Sequence, residues 1–152
     1  MITKNCLDLI KKWEGLELKA YPDPGTKAEP YTIGYGSTRY ADGSKVKLGD
    51  VITMQEAERL LSIDLERRLS AIRPWLPVTI NQNQIDAVLS FVYNCGIGAF
   101  EKSTMRKKIW RNPNDPTIRA EFMRWVRAGG KVMRGLVNRR KDEADLYFKA
   151  VK

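Results

Sequence analysis

Three residues in the first quarter of the chain have the types needed to cleave an acetal: Glu14, Asp23 and Thr32, spaced nine residues apart. They stand in Trp13-Glu14-Gly15, in Ala20-Tyr21-Pro22-Asp23, and in Tyr31-Thr32-Ile33-Gly34-Tyr35-Gly36. Acetal cleavage needs an acid to protonate the leaving oxygen and a carboxylate to activate water or attack the anomeric carbon. Two carboxyls in unequal environments meet that need. A hydroxyl at Thr32 could hold a water without changing charge. Taken singly each residue is ordinary, since an Asp between prolines is a common turn residue. Their value as a set depends on the elements that position them.

Ile2, Cys6, Leu9 or Ile10, and Trp13 follow helical spacing, so residues 2–13 read as an amphipathic helix with Thr3 as a candidate cap. Gly15 ends it and leaves Glu14 in the last turn. The negative end of the helix dipole falls there and disfavours a charged carboxylate, which suits an acid that must hold its proton. Residues 18–21, 31–35 and 45–48 read as short strands of a small antiparallel sheet. The connector from Asp23 to Pro30, marked by Pro22, Pro24 and Gly25, is long for a hairpin, and long loops are often functional.

Thr53-Met54-Gln55-Glu56 is a capping box that opens a long helix stopped near Pro74, with Asp64 out of place on its apolar stripe. Ile85, Val88, Leu89 and Val92 mark a strongly apolar helix ended by Asn94-Cys95-Gly96. Met105, Ile109 and Trp110 suggest another, closed by Asn112-Pro113. Ile118, Phe122 and Trp125 suggest a further helix closed by Gly129-Gly130. Leu136 to Phe148 continues helical to the end. Trp110 and Trp125 read as core residues, whereas Trp75, between Pro74 and Pro77, fits either core or sugar stacking.

The expected fold class is therefore α+β, mostly helical. A small antiparallel β lobe is joined by a long helix to a helical lobe. The 152 residues suit one domain. Its parts are a β-rich region of about 14–52, a bridging helix of about 53–73, and a helical body of 1–13 plus about 74–152. The N-terminal helix is expected to pack on the helical body, which puts Glu14 at the junction, a common place for ligand clefts.

Composition narrows the chemistry. Histidine is absent, which excludes a Ser-His-Asp triad, a Cys-His pair and a His-ligated metal. General acid/base work falls to Asp, Glu, Lys or Tyr. Cys6 and Cys95 lack metal-ligand spacing and read as small hydrophobes. No metal, nucleotide or other cofactor signature is present, and Gly34-Tyr35-Gly36 lacks the helix start and Lys-Ser/Thr of a phosphate loop. No apolar run is long enough to span a bilayer, and the N-terminus lacks the apolar core of a signal peptide. The net charge is +9. Residues 1–100 hold 12 Lys/Arg and 12 Asp/Glu, and residues 101–152 hold 15 and 6, so the whole excess lies in the last third. Such segregation points to a polyanionic partner and predicts salt-sensitive behaviour.

The motifs also resemble a known family. Glu-Gly-Leu, Ala-Tyr-Pro-Asp and Tyr-Thr-Ile-Gly-Tyr-Gly are similar to the signature of the phage-type lysozymes, glycoside hydrolase family 24. Gly49 to Ala57 resembles the start of that family's bridging helix, and Gln84 to Gly96 its central buried helix. Arg124 to Val132 and Gly135 to Arg140 resemble the C-terminal segment of its lambdoid-like branch. The resemblance covers nearly the whole chain.

It implies hydrolysis of the β-1,4 bond between N-acetylmuramic acid and N-acetylglucosamine in peptidoglycan, with no cofactor. Glu14 would be the general acid, and Asp23 and Thr32 would position water. Tyr93, Asn94 and Thr38 would bind sugar, and Arg139 would steady the acid, with Arg140 the adjacent alternative. The outcome at the anomeric carbon, retaining or inverting, stays open.

The resemblance further implies a monomer without nucleic-acid partner or stable membrane insertion. It would lyse the host after accumulating in the cytoplasm and reach periplasmic peptidoglycan once a holin opens the membrane. The rival readings are a basic wall-binding or membrane-disrupting protein, a nucleic-acid-binding module, and a lytic transglycosylase that would leave Asp23 and Thr32 without a task. Two departures from the family pattern stand out: Ser37 occupies a place often held by His, and the segment between Asp23 and Thr32 is longer than in the T-even branch.

Overall fold

The computed structural model describes residues 2–24 and 26–151. Gly25, one of the residues that mark the long connector, lies outside the described residues.

Helix α1 (Lys4–Glu14) starts where Thr3 accepts from the Cys6 amide, and ends at Gly15, whose φ of 71° favours glycine. The Thr3 hydroxyl also donates to Asp86, at 2.6 Å, and so ties the start of α1 to the central helix. The chain then forms β1 (Glu17–Tyr21) and β2 (Thr32–Gly34), an antiparallel pair that sets Tyr21 opposite Thr32.

The expected third strand at 45–48 does not form. Among the described residues, isolated bridges stand in its place, Arg39 to Lys45 and Lys19 to Val51, beside one from Ile33 to Ser37. Side-chain acceptors compete for the backbone here: Asp42 takes the Ser44 amide, and Asp50 takes the Lys47 amide and the Tyr40 hydroxyl.

Helix α2 (Met54–Ile72) opens on the Thr53/Glu56 capping box and runs about 28 Å, at about 1.5 Å per residue. Ala57, Leu60, Leu61, Leu65, Leu69 and Ile72 form its buried stripe. A 3-10 turn (Arg73–Trp75) follows. Helix α3 (Gln82–Cys95), capped by Asn81 and Gln84, is the most enclosed element, with nine buried residues. It packs chiefly against the last helix and also against α1 and α2.

After Gly96 come α4 (Ile97–Lys102), which the hydrophobic pattern missed, α5 (Thr104–Arg111) and α6 (Ile118–Phe122). The expected continuation of α6 to Gly129 is replaced by a hairpin, β3 (Arg127–Ala128) and β4 (Lys131–Val132). Gly129 and Gly130 both take positive φ, as a two-residue hairpin turn requires, so the pair turns a ribbon instead of ending a helix. Helix α7 (Arg134–Tyr147) closes the fold.

One apolar cluster runs through both halves of the molecule, from Ile33, Val46 and Ile52 to Phe91, Phe122 and Tyr147. Phe91 sits at its centre, in edge contact with Phe100, Phe122 and Trp125. Trp125 thus belongs to the core as expected. Trp110 does not: it is 57% exposed, on the outer face of a short helix with too little partner surface to cover it. Trp75 leans on Phe100 and carries Arg106 over its ring. Cys6 is buried, Cys95 partly so, and both thiols are free.

Candidate active site

The last turn of α1 is clamped from two sides. Lys11 pairs with Glu58 of α2 at 2.6 Å, while Lys12 and the Trp13 indole reach Asp142 of α7 at 2.7 and 3.2 Å. These contacts fix Glu14 where the β1/β2 ribbon meets α3 and α7. Arg139 of α7, 4% exposed, donates from Nη1 to Glu14 Oε2 at 2.7 Å. The other carboxylate oxygen, Oε1, turns to the strand end: a Cβ at Gly36 would lie 3.6 Å from it. One oxygen of Glu14 is therefore held by the protein and the other lies beside Gly36.

Arg139 is itself pinned. Its Nε donates to Glu143 Oε2 at 3.3 Å, and Nη2 donates to the Ser90 carbonyl at 3.2 Å. The Ser90 hydroxyl donates to the same Glu143 oxygen at 2.5 Å. Arg140 Nε lies 3.0 Å from Glu143 Oε1 as an ion contact without hydrogen-bond alignment. Burial pushes the Glu143 carboxyl up, opposed by Arg140, Ser90 and Arg139. Ser90, Glu143 and Arg140 are all fully buried. Of the two adjacent arginines, Arg139 is the one that reaches Glu14, whereas Arg140 turns to Asn94, Cys95 and the Phe91 ring.

Tyr93 ends α3 against the ribbon, its hydroxyl donating to the Tyr35 carbonyl at 2.9 Å. A Cβ at Gly36, whose φ is 108°, would meet that hydroxyl at 3.2 Å, so this close approach requires glycine. Burial pushes the Tyr93 phenol far up, helped by Asp64 and Glu14. Tyr21 faces the same region. Burial and then Glu14 raise its phenol, while a hydrogen bond with Thr32 acts in the other direction. Glu14, Tyr21, Thr32, Gly36 and Tyr93 are thus neighbours.

Asp23 is partly exposed, two residues beyond Tyr21, which keeps its Cα within about 7 Å of that of Tyr21. Its backbone closes the loop mouth, with N donating to the Ala28 carbonyl at 3.0 Å and O accepting from Lys27 at 2.6 Å.

The remaining candidates lie in different settings. Thr38 is exposed and lines two open recesses beside the ribbon. Asn94 is exposed, but its side-chain oxygen accepts from Arg140. Asp64 has a simple explanation: its carboxylate accepts from the buried Ser37 hydroxyl at 2.8 Å. Ser37 thus ties the strand end to the bridging helix.

Sequence reasoning missed Ser90, Glu143 and Tyr21. Glu143 stands four residues after Arg139, the spacing of a helical ion pair, and that was the available signal. Nothing in the sequence marks Ser90, and Tyr21 stands in the Ala-Tyr-Pro-Asp motif with no role assigned to it. Among the described residues, no group of three or more Cys, Asp or Glu could hold a metal ion, and no helix is long and apolar enough to cross a membrane.

A helix-end carboxyl set between a small β ribbon and a helical body defines a lysozyme-like fold. The solved structures agree. An endolysin from Escherichia coli O157:H7 phage FAHEc1 superposes with a TM-score of 0.85 at 38% identity, covering 99% of this chain and 95% of that one. A P22 lysozyme mutant gives 0.84 at 34% identity, covering 98% and 99%. Among curated relatives, the endolysin of Bacillus phage PZA is 42% identical over 96% of this chain and 54% of its own length. The endolysin of Salmonella phage P22 is 36% identical over 97% of both. The phage lysozyme family profile matches residues 11–143, and the chain belongs to that family. It spans about half the length of the two Bacillus phage endolysins it matches, and nearly all of the P22 protein.

Proposed function

We propose that this chain is a peptidoglycan muramidase, an endolysin that hydrolyses the β-1,4 bond between N-acetylmuramic acid and N-acetylglucosamine. Glu14 is the general acid, and Asp23 and Thr32 position the water. Thr38 and Tyr93 bind the glycan strand, with Asn94 at its edge, and Arg139 holds the acid in place. The observation that carries this reading is the split environment of Glu14. Oε2 is occupied by a buried guanidinium, so Oε1, beside Gly36 and Tyr93, is the oxygen left to carry a proton to the leaving group. The Tyr21–Thr32 pairing supports the water-positioning role, because it brings the hydroxyl to the same side of the ribbon as the acid.

We read residues 1–152 as one lysozyme-like domain that works as a monomer in the lysis of a bacterial host. It meets the wall after passing a membrane opened by a separate pore-forming protein. The test is clearing of outer-membrane-stripped Gram-negative cells by the purified chain and by Glu14→Gln, both shown folded by circular dichroism. Clearing by the native chain alone supports the muramidase. Equal clearing by both would sink it and leave the basic surface as the lytic agent.

A further inference from the structure

Asp64 and its neighbours on α2 border an open recess of about 300 Å³ that adjoins Gly36 and so abuts Glu14 and Tyr93. Three arginines line it, Arg39, Arg67 and Arg68, against the single carboxylate of Asp64. Two of them are already engaged: Arg39 donates to the Gly43 carbonyl at 2.9 Å, and Arg67 donates to the Ala41 carbonyl at 3.2 Å and approaches Asp64 at 4.0 Å. Arg68 differs. Its guanidinium carbon lies over the Tyr93 ring, 4.6 Å from the centroid, and among the described residues no carbonyl or carboxylate accepts from it. A guanidinium stacked on an aromatic face is held in one plane with its donor edge outward, the geometry that meets a carboxylate with two parallel hydrogen bonds.

We propose that Arg68 is a substrate-binding residue that takes a carboxylate of the peptide stem attached to the glycan strand, with Arg39 and Arg67 reinforcing the positive field of the recess. This rests on the muramidase reading. A glycan strand lying along Glu14, Gly36 and Tyr93 carries its stem peptide on the muramic sugar. The basic recess opens next to that line, and the stem is the anionic part of an otherwise neutral strand.

The test compares KM and kcat of the native chain, Arg68→Ala and Arg68→Lys on two substrates. One is purified glycan strands with intact stems, freed of accessory anionic polymers. The other is the same strands after amidase removal of the stems. Losing a hydrogen-bonded charge pair predicts a KM for Arg68→Ala raised about tenfold or more on intact strands. Its kcat should be unchanged, and on stripped strands it should match the native chain. Arg68→Lys should recover part of the loss, which also guards against a variant that merely unfolds.

Equal KM effects on both substrates, or none on either, would overturn the assignment. So would an effect that appears only when phosphate-bearing wall polymers are left attached, which would name phosphate as the ligand. If the native chain cleaves neither substrate, the muramidase reading falls and takes this inference with it. If it cleaves both and Arg68→Ala behaves identically, only this inference falls.

Discussion

Glu14 and Glu143 both lean on one guanidinium, and Arg139→Lys separates what that guanidinium does from what its charge does. Arg139 spreads its donors in three directions, to Glu14 at 2.7 Å, Glu143 at 3.3 Å and the Ser90 carbonyl at 3.2 Å. A lysine keeps the charge on one nitrogen at the end of a flexible stem and cannot reproduce the fork. Its ammonium can satisfy Glu143 in the interior or reach Glu14, but not hold both in their present orientation. A hydrogen bond to a charged group contributes about 1.5–3 kcal/mol. If that energy orients Glu14 for proton transfer, kcat should fall about ten- to a hundredfold while KM moves little. The same loss should lower the melting temperature, by roughly 2–4 °C for each kcal/mol at this chain length. The assay is initial-rate hydrolysis of soluble glycan strands well below the melting midpoint, alongside a thermal melt. A variant that melts early yet keeps kcat within about twofold of native would refute the positioning role. Arg139 would then be a brace for α3 and α7 and nothing more.

Two other perturbations test the surroundings. Gly36→Ala combines a φ of 108° with a Cβ 3.2 Å from the Tyr93 hydroxyl and 3.6 Å from Glu14 Oε1. It should cost about 1–3 kcal/mol in stability and lower kcat by displacing both groups, and urea denaturation with parallel turnover assays would show native values if the approach were slack. Glu121 is held below its ordinary 4.5 by Lys108 at 2.8 Å and then Arg124 at 3.2 Å, against burial. Its pairing therefore stabilises the fold above about pH 4.5 and is lost as pH falls through the lower folded-state value. Glu121→Gln should flatten the acid limb of stability against pH, and an unchanged limb would locate acid sensitivity elsewhere.

The α1 end, the bridging helix and the apolar α3 were legible because caps and hydrophobic spacing are local signals. Thr3, Thr53 and Asn81 each act on the next turn of their own chain. What the sequence did not disclose was decided across the fold. Val46 looks like a strand residue, yet side chains of Asp42 and Asp50 take the neighbouring amides. Trp125 continues the helical spacing of Phe122, but the Gly129-Gly130 turn and the edge contact with Phe91 place it after the helix has ended. The site divides the same way. Glu14, Asp23 and Thr32 could be nominated because each stands in a contiguous motif. Ser90 and Glu143 act through a partner 125 residues from the acid it serves, and no spacing along the chain encodes that contact.

The α3–α7 interface holds two arginines and a glutamate that are all but inaccessible to water, and stability alone does not account for them. Hydrophobic side chains of similar volume in such a place are often as stable or more so, because desolvating charges offsets their attraction. Here the pairing is not even fully satisfied: Arg140 Nε and Glu143 Oε1 approach to 3.0 Å without hydrogen-bond alignment. What an apolar interface could not supply is a rigid donor aimed outward at one oxygen of Glu14. Ser90 fixes Glu143, Glu143 and the Ser90 carbonyl fix Arg139, and Arg139 fixes Glu14 Oε2. In a chain without histidine, this train of buried groups orients the proposed acid. The proposed acid then owes its geometry less to the helix that carries it than to a helix at the other end of the sequence.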